Sequence, residues 1–303
     1  MKFFQTTFTL LSFLIVPAFA SDDTNYTYLA LGDSVPFGLN ITLLPPYSSV
    51  TPKPSQFIGY PEGVAAVERL LHPENEVNAS CPGETSASFL ILPSQSGVPD
   101  NGCNSQHLQP PASPIPPFKT IGLHTPYIGT QMEFAEAQLE ANKYINLVTL
   151  SIGADDVLLV LSSLEQCTDA TCVQNVLTPV LQNYAVNLSQ VLTRIRAHYQ
   201  GTLILLTYYS PSPALDGVAV ALNGVMTQVA AQLSAQPNFA PIIIADGFRV
   251  FKLVSAPFHD DACQAGLLIR LPPSPFTTTP CDIHPSPLGR DLLTATILSV
   301  LPR

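Results

Sequence analysis

The chain of 303 residues contains no tryptophan, and only 11% of its residues are charged. Lysine and arginine together number 12, against 22 aspartates and glutamates, so the net charge is -10. With so few basic residues, no patch is available to neutralise a phosphate backbone or an anionic membrane, and we expect no nucleic-acid partner. The absence of tryptophan weakens a stacking groove for sugars, although ten tyrosines remain to supply one.

Long apolar runs are also scarce, and one of the few lies at the N-terminus. Lys2 precedes an apolar stretch at residues 10–16, and Ala18-Phe19-Ala20 has the small-x-small form of a signal peptidase site. We therefore expect residues 1–20 to be a signal peptide cleaved after Ala20, which makes the protein secreted or periplasmic; an uncleaved membrane anchor is the alternative. The apolar tract 292–301 is too short to span a bilayer, so no integral span is expected after cleavage.

The six cysteines are even in number, which fits export to an oxidising compartment. No Cys-x-x-Cys motif or histidine cluster favours zinc, so no metal is expected. Six cysteines allow fifteen pairings, and closure of the short loops between chain neighbours favours one of them. The expected disulfides are Cys81–Cys103, Cys167–Cys172 and Cys263–Cys281.

Short apolar runs alternate with longer stretches of helical period, which is typical of a parallel sheet covered by helices on both faces. The strand candidates are residues 26–31, 76–79, 145–151, 202–207 and 242–245. The helix candidates are residues 62–71, 132–143, 173–199, 218–235 and 287–301. Thirty prolines, crowded at 45–61 and 93–126, predict long ordered loops. We expect one α/β domain over residues 21–303, a three-layer α/β/α sandwich with a five-stranded, mainly parallel sheet.

In such sheets ligands bind outside the carboxyl ends of the strands, so the residues that follow each strand are the most informative. Gly32-Asp33-Ser34 follows the first strand, at the start of a helix. Gly83 follows the second strand and can bring a backbone N–H close to a substrate oxygen. The next residues, 84–86, are expected to open a helix. Each feature alone is also explained by turn and capping chemistry.

Two further places carry chemically suggestive residues. Gly153 and Asp155 follow the third strand, where glycine gives access to the backbone. His284 lies at a loop-to-helix boundary ahead of the last helix, and Asp282 precedes it by two residues. A histidine with a nearby carboxylate is suited to general acid–base catalysis.

Taken in order, Gly32-Asp33-Ser34, Gly83, Gly153-Ala154-Asp155-Asp156 and His284-Pro285 resemble the sequence blocks of the SGNH, or GDSL, family of serine esterases and lipases. The resemblance spans nearly the whole chain after the signal peptide. It implies the flavodoxin-like SGNH hydrolase fold and acyl transfer from an ester to water, with no cofactor. Ser34 would be the nucleophile and His284 the base. Ser34 N–H, Gly83 N–H and an asparagine side chain would stabilise the oxyanion.

The third block departs from the family pattern, because Asp155 stands where the family has asparagine. An ionised carboxylate repels an oxyanion, and only the protonated form donates a hydrogen bond. Four interpretations stay open: a pKa raised by burial, an enzyme that works in acid, an oxyanion hole reduced to two backbone donors, or lost catalysis.

The position of the third catalytic residue departs as well. The family usually places the acid three residues before the histidine, where this chain has Cys281. Asp282 is the candidate, and a backbone carbonyl that orients the imidazole is the alternative. A disulfide at Cys281 would fix the loop that aims His284.

The expected function is therefore that of a secreted serine hydrolase for carboxylic esters, acting as a monomer on small-molecule or lipid esters. The proline-rich loops follow the first two strands and are expected to wall an acyl pocket, which favours a hydrophobic ester. A carbohydrate acetylesterase and a catalytically impaired exported binding protein are the alternatives. A nucleotide-binding protein is disfavoured, because residues 32–38 contain neither Gly-x-Gly-x-x-Gly nor a P-loop lysine.

Overall fold

The computed structural model of the protein describes residues 27–67, 75–96, 98–106, 115–273 and 280–302, so the expected signal peptide lies outside the described residues. Five parallel strands form one sheet in the order β2-β1-β3-β4-β5. Each strand agrees with its predicted range to within one residue at either end. The strands are β1 Thr27–Gly32, β2 Glu76–Asn78, β3 Ile145–Ser151, β4 Thr202–Leu206 and β5 Ile242–Ala245.

The central strands are apolar on both faces because helices cover both sides of the sheet. All six residues of β1 are buried, and so are Leu147 and Leu150 of β3 and residues 203–206 of β4. The three-layer α/β/α architecture expected from the sequence is confirmed. One layer contains α2 (Tyr60–Val67), α10 (Gly247–Ser255) and α11 (Pro287–Val300), and the other contains α5 (Gln131–Ala141), α8 (Ala170–His198) and α9 (Asp216–Ser234).

The described helices range from single turns to 29 residues. They are α1 Ser34–Phe37, α2 Tyr60–Val67, α3 Pro93–Ser96, α4 Phe118–Ile121, α5 Gln131–Ala141, α6 Ala154–Leu158, α7 Leu161–Glu165, α8 Ala170–His198, α9 Asp216–Ser234, α10 Gly247–Ser255 and α11 Pro287–Val300. Capping residues fix several starts. Thr130 and Glu133 form a capping box on α5, and the Asp169 side chain caps α8.

Two predictions about local structure are wrong, and one helix is missing from the predicted set. Residues 84–86 do not open a helix but lie in turns, because Thr85 and Ser88 satisfy each other's backbone N–H groups through their hydroxyls. Helix α10 was not predicted, since its nine residues follow directly on β5. His284 lies in a strand rather than a loop, because β7 Cys281–Pro285 pairs antiparallel with β6 Leu268–Arg270.

The chain contains disulfides Cys81–Cys103, Cys167–Cys172 and Cys263–Cys281, which are the pairs expected from the sequence. Glu84 lies close enough to both sulfurs of the first bridge to suggest a metal site, but these sulfurs are joined to each other. A small apolar cluster surrounds this bridge and contains Phe37, Phe57 and Phe118.

One described helix, Pro213–Ser234, is long and apolar enough by length and composition to cross a membrane. It includes α9, whose side chains Leu222, Met226 and Ala230 are buried. These residues belong to the main core, and the helix packs against α8 and β5.

Candidate active site

Ser34 is held at the carboxyl end of β1 by a turn that requires glycine. Gly32 has φ +136°, and a Cβ atom there would lie 2.0 Å from the carbonyl oxygen of Ser151. This close approach to β3 lets the chain turn directly into α1, whose first residue is Ser34. Asp33 caps the helix by accepting a hydrogen bond from Val35 N–H at 3.0 Å.

Ser34, His284 and Asp282 form a continuous hydrogen-bonded chain. Nε2 of His284 lies 2.8 Å from the Ser34 hydroxyl, and Nδ1 lies 2.6 Å from a carboxylate oxygen of Asp282. Asp282 reaches the ring although it is only two residues away, because both residues lie in β7, and side chains two apart in a strand share one face. The carboxylate, not a backbone carbonyl, contacts Nδ1.

The surroundings of His284 raise its pKa. Burial alone would lower the pKa of His284, but the charge and hydrogen bond of Asp282, with the charge of Asp33, raise it above 6.5. An imidazolium that forms when His284 takes a proton is therefore stabilised by the neighbouring carboxylates.

Asp33, beside Ser34, is fully buried. Burial raises its pKa to about 7, against the opposing effect of hydrogen bonds from the Tyr208 hydroxyl and the Val35 N–H. Tyr209, the residue after Tyr208, donates to the carbonyl oxygen of Ile283 at 2.7 Å. The two tyrosines therefore join the segment after β4 to the Ser34 turn and to the His284 strand.

Gly83 and Asp155 lie after β2 and β3, the two neighbours of β1 in the sheet. Gly83 has φ +80°, and a Cβ atom there would lie 2.3 Å from the backbone of Asn101. Asn101 N–H donates to the Gly83 carbonyl at 2.7 Å, and the Asn101 side-chain amide donates to Oδ1 of Asp155 at 2.8 Å. Asn101 therefore links the two expected oxyanion-hole positions.

Asp155 is buried, and its second oxygen, Oδ2, has no hydrogen-bond partner among the described residues. Burial raises its pKa well above 3.8, and the negative charge of Asp33 adds to the shift, whereas the hydrogen bond from Asn101 opposes it. A protonated Asp155 accepts from Asn101 through one oxygen and has one O–H left to donate. The neighbouring Asp156 accepts from both the N–H and the hydroxyl of Ser86, which ties the segment after β2 to α6.

A mostly apolar cavity of about 100 Å³ opens at Ser34 and His284. Its other walls come from α6 and α7, the segment after β4, the first half of α9, and Ile283. The expectation that the proline-rich loops wall this pocket is wrong for the described residues. Phe57 and Phe118 from these loops are instead buried against Phe37, away from the cleft.

Three residues at the site were missed by sequence reasoning. Tyr208 and Tyr209 directly follow β4, so their position at a strand end was an available signal. Asn101 follows no strand and belongs to no motif, and only the folding of its loop brings it between Gly83 and Asp155.

No protein-family model and no curated protein matches the chain. Solved structures do. The chain is similar to a lipase from a goat rumen metagenome, with 15% identity, a TM-score of 0.50, and coverage of 90% of this chain and 96% of that one. A member of the lipolytic G-D-S-L family from Veillonella parvula has 14% identity and a TM-score of 0.46, with coverage of 92% and 99%. An acetyl xylan esterase has 11% identity and a TM-score of 0.45, with coverage of 91% and 100%.

At these identities the likeness concerns the fold. The chain shares its α/β fold with the goat rumen lipase, so the fold class expected from the sequence is confirmed.

Proposed function

We propose that the protein is an exported serine hydrolase that cleaves carboxylic esters through a Ser34–His284–Asp282 triad. The observation that carries the proposal is the hydrogen-bonded chain from Ser34 through His284 to Asp282, which opens into an apolar cavity. The SGNH-type fold supports it, because the sequence blocks of that family coincide with these positions. The disulfides fit an oxidising compartment, and we propose that the protein acts there as a monomer without cofactor or metal.

The reaction begins when Ser34 Oγ attacks the carbonyl carbon and His284 Nε2 takes the hydroxyl proton. The carbonyl π electrons move to oxygen, and the resulting oxyanion accepts hydrogen bonds from Ser34 N–H, Gly83 N–H and the protonated Asp155 carboxyl. The intermediate collapses, the ester C–O bond breaks, and the alcohol leaves with the proton from His284. A water molecule, deprotonated by His284, then releases the acid and restores Ser34. Asp282 orients the imidazole and stabilises its charged form.

The proposal is tested with a fluorophosphonate probe and p-nitrophenyl esters, both assayed from acid to neutral pH. We expect stoichiometric labelling at Ser34 and ester hydrolysis, with both lost in Ser34→Ala. Ser286→Ala is the matched control, because Ser286 caps α11 on the same part of the chain and does not contact Ser34. Absence of labelling and hydrolysis across the whole pH range would favour the alternative of an exported binding protein.

A further inference from the structure

A second, larger cavity lies beyond the one that opens at Ser34. It has a volume of about 810 Å³ and forms a groove between α7, the start of α8, the start of α9 and β7. Neither Ser34 nor His284 lines it. Asp282 lies in its wall, but no step of the proposed mechanism takes place in this space.

The groove and the cavity at Ser34 are adjacent. They share five lining residues, all apolar: Leu161, Pro211, Leu215, Val218 and Ile283. An acyl chain bound to Ser34 Oγ would follow this shared apolar wall, between α7 and α9, to reach the groove. Further along, the groove is lined by Leu164, Val173, Leu177 and Leu268.

The charged residues in the groove wall restrict what the groove can hold. Glu165, Asp261 and Asp282 line it, and no lysine or arginine does so among the described residues. A phosphate, sulfate or carboxylate would meet only like charge there, so an anionic headgroup is disfavoured. An uncharged hydrocarbon chain is favoured by the apolar surface.

We propose that this groove binds the distal part of the acyl chain, so that the protein prefers esters of medium- and long-chain fatty acids to acetate esters. This inference rests on the proposed esterase function. The acyl group, rather than the alcohol, is assigned to the enclosed path because it stays covalently bound to Ser34 after the first step, whereas the alcohol must depart. Burial of each further methylene is expected to raise kcat/KM by up to about fourfold until the groove is filled.

Gly217 offers a way to fill the groove without disturbing the fold. It lines the groove but not the cavity at Ser34. A Cβ atom at this position meets no atom within 4 Å, so a phenylalanine would extend into open space. Gly224 lies on the same helix, is exposed, has an equally open Cβ position and lines neither cavity, so Gly224→Phe is the matched control.

The experiment compares p-nitrophenyl acetate, butyrate, octanoate, dodecanoate and hexadecanoate. We expect Gly217→Phe to lower kcat/KM for dodecanoate at least about tenfold and to change the value for acetate less than about twofold. Gly224→Phe should change neither. Equal effects of Gly217→Phe on acetate and dodecanoate would overturn the proposal. A preference for long chains that appears only when the alcohol of an acetate ester is lengthened, and not when the acyl group is lengthened, would also overturn the proposal.

Failure of the esterase function would show differently, as absence of hydrolysis of every ester by the unmodified protein. In that case binding decides, and the probe is the uncharged fluorescent ester methyl cis-parinarate. Saturable binding of the probe to the Ser34→Ala variant supports an alkyl-binding groove if adding Gly217→Phe weakens the affinity at least about tenfold and adding Gly224→Phe does not. Binding that is absent, or unaffected by Gly217→Phe, refutes it.

Discussion

Asp155 differs from asparagine by one titratable group, so its contribution to an oxyanion hole must depend on pH. The protonated acid donates a hydrogen bond, and this donor is lost as the pH rises through the raised pKa of Asp155. An amide keeps its donor at every pH. Replacement also preserves the contact with Asn101, since Oδ1 of the new amide accepts the same hydrogen bond.

We therefore predict that Asp155→Asn increases ester turnover at neutral pH and removes a decline in kcat toward alkaline pH. One oxyanion donor is worth about 10²–10³ in kcat, which is the upper limit for the gain where Asp155 is ionised. Steady-state kcat across pH measures the effect. Asp155→Leu, which has no donor, is the control and should lower kcat at acidic pH. An unchanged or lower neutral rate in Asp155→Asn would place Asp155 outside the oxyanion hole.

A second prediction concerns Asp282. Asp282→Asn should lower kcat about 10⁴-fold with little change in KM, as loss of the carboxylate does in serine proteases. It should also move the acidic limb of the kcat/KM profile to lower pH. The pKa of His284 is raised by Asp282, and the base form that catalysis needs exists only above this pKa.

The matched control is Asp261→Asn. Asp261 lines the same groove as Asp282, but its carboxylate caps Gln264 N–H and does not contact His284. If Asp282→Asn leaves the acidic limb of the kcat/KM profile at the same pH, the result argues against the triad. An equal loss of activity in Asp282→Asn and Asp261→Asn would do the same.

The proposed site positions could be read from the sequence because each lies shortly after a strand or shortly before a helix, where a short motif is legible. Ser34, Gly83, Asp155 and His284 all belong to this class. Asn101 does not, since its position depends on where a long loop folds back, and no local pattern encodes that. The sequence leaves the protonation of Asp155 open for a similar reason. Burial and the charge of Asp33, which raise the pKa of Asp155, are visible only in the folded structure.

At the scale of elements, four of the parallel strands were predictable because each is a mainly apolar run bounded by turn residues, whereas β2 has one apolar residue, Val77. The β6–β7 hairpin was not predictable, since its first strand has only three residues, too few to show a period. The consequence reaches the site. A strand conformation at residues 281–285 is what brings Asp282 onto the same face as His284, and a loop would not fix that relation.

The hairpin is anchored by Cys263–Cys281, and Cys281 directly precedes Asp282. We predict that Cys263→Ala/Cys281→Ala lowers both kcat and the melting temperature. In the chain-entropy estimate, the Cys263–Cys281 bridge joins residues 18 apart and stabilises the folded state by about 3 kcal/mol. The Cys167–Cys172 bridge joins residues 5 apart and stabilises it by about 2 kcal/mol. Cys167→Ala/Cys172→Ala is thus a control with a comparable cost in stability at the start of α8. The first variant should lose about tenfold or more in kcat at a temperature where both are folded, and the control should lose little. Equal rates would show that β7 holds Asp282 without the bridge.

For the whole molecule, the buried carboxyl groups set how stability depends on pH. Burial raises the pKa of Asp33 and Glu84 to about 7 and that of Glu76 to about 8. In the unfolded chain these groups titrate near pH 4, so between about pH 4 and pH 8 the folded state holds more protons. Stability therefore falls as the pH rises through this window. His284 acts in the same direction, because its folded-state pKa is also raised.

Among the carboxyl groups of the described residues, two have a lowered pKa, and both are more exposed. Arg194 lowers the pKa of Glu136, and the Gln264 backbone N–H lowers that of Asp261. Their contributions are lost only as the pH falls through these lowered pKa values, below about pH 4. They do not offset the buried groups at higher pH. The net charge of -10 adds self-repulsion near neutrality, which protonation of carboxylates relieves.

We predict that the melting temperature is higher at pH 5 than at pH 8, and that Glu84→Gln reduces the difference. Glu84 is fully buried and accepts a hydrogen bond from the Ser88 hydroxyl, and an amide oxygen preserves that contact without a titrating group. A pKa shift of this size corresponds to a few kcal/mol per group at most between the two pH values. Asp291→Asn is the control, because Asp291 is exposed and its substitution should leave the slope unchanged.

Thermal unfolding followed by circular dichroism measures both the melting temperature and its change with pH. A melting temperature that rises from pH 5 to pH 8, or an equal slope in Glu84→Gln and the unmodified protein, would show that the buried carboxyls are ionised in the folded state. Asp155 would then be expected to oppose an oxyanion rather than to stabilise it, since it shares the same buried, acid-rich surroundings.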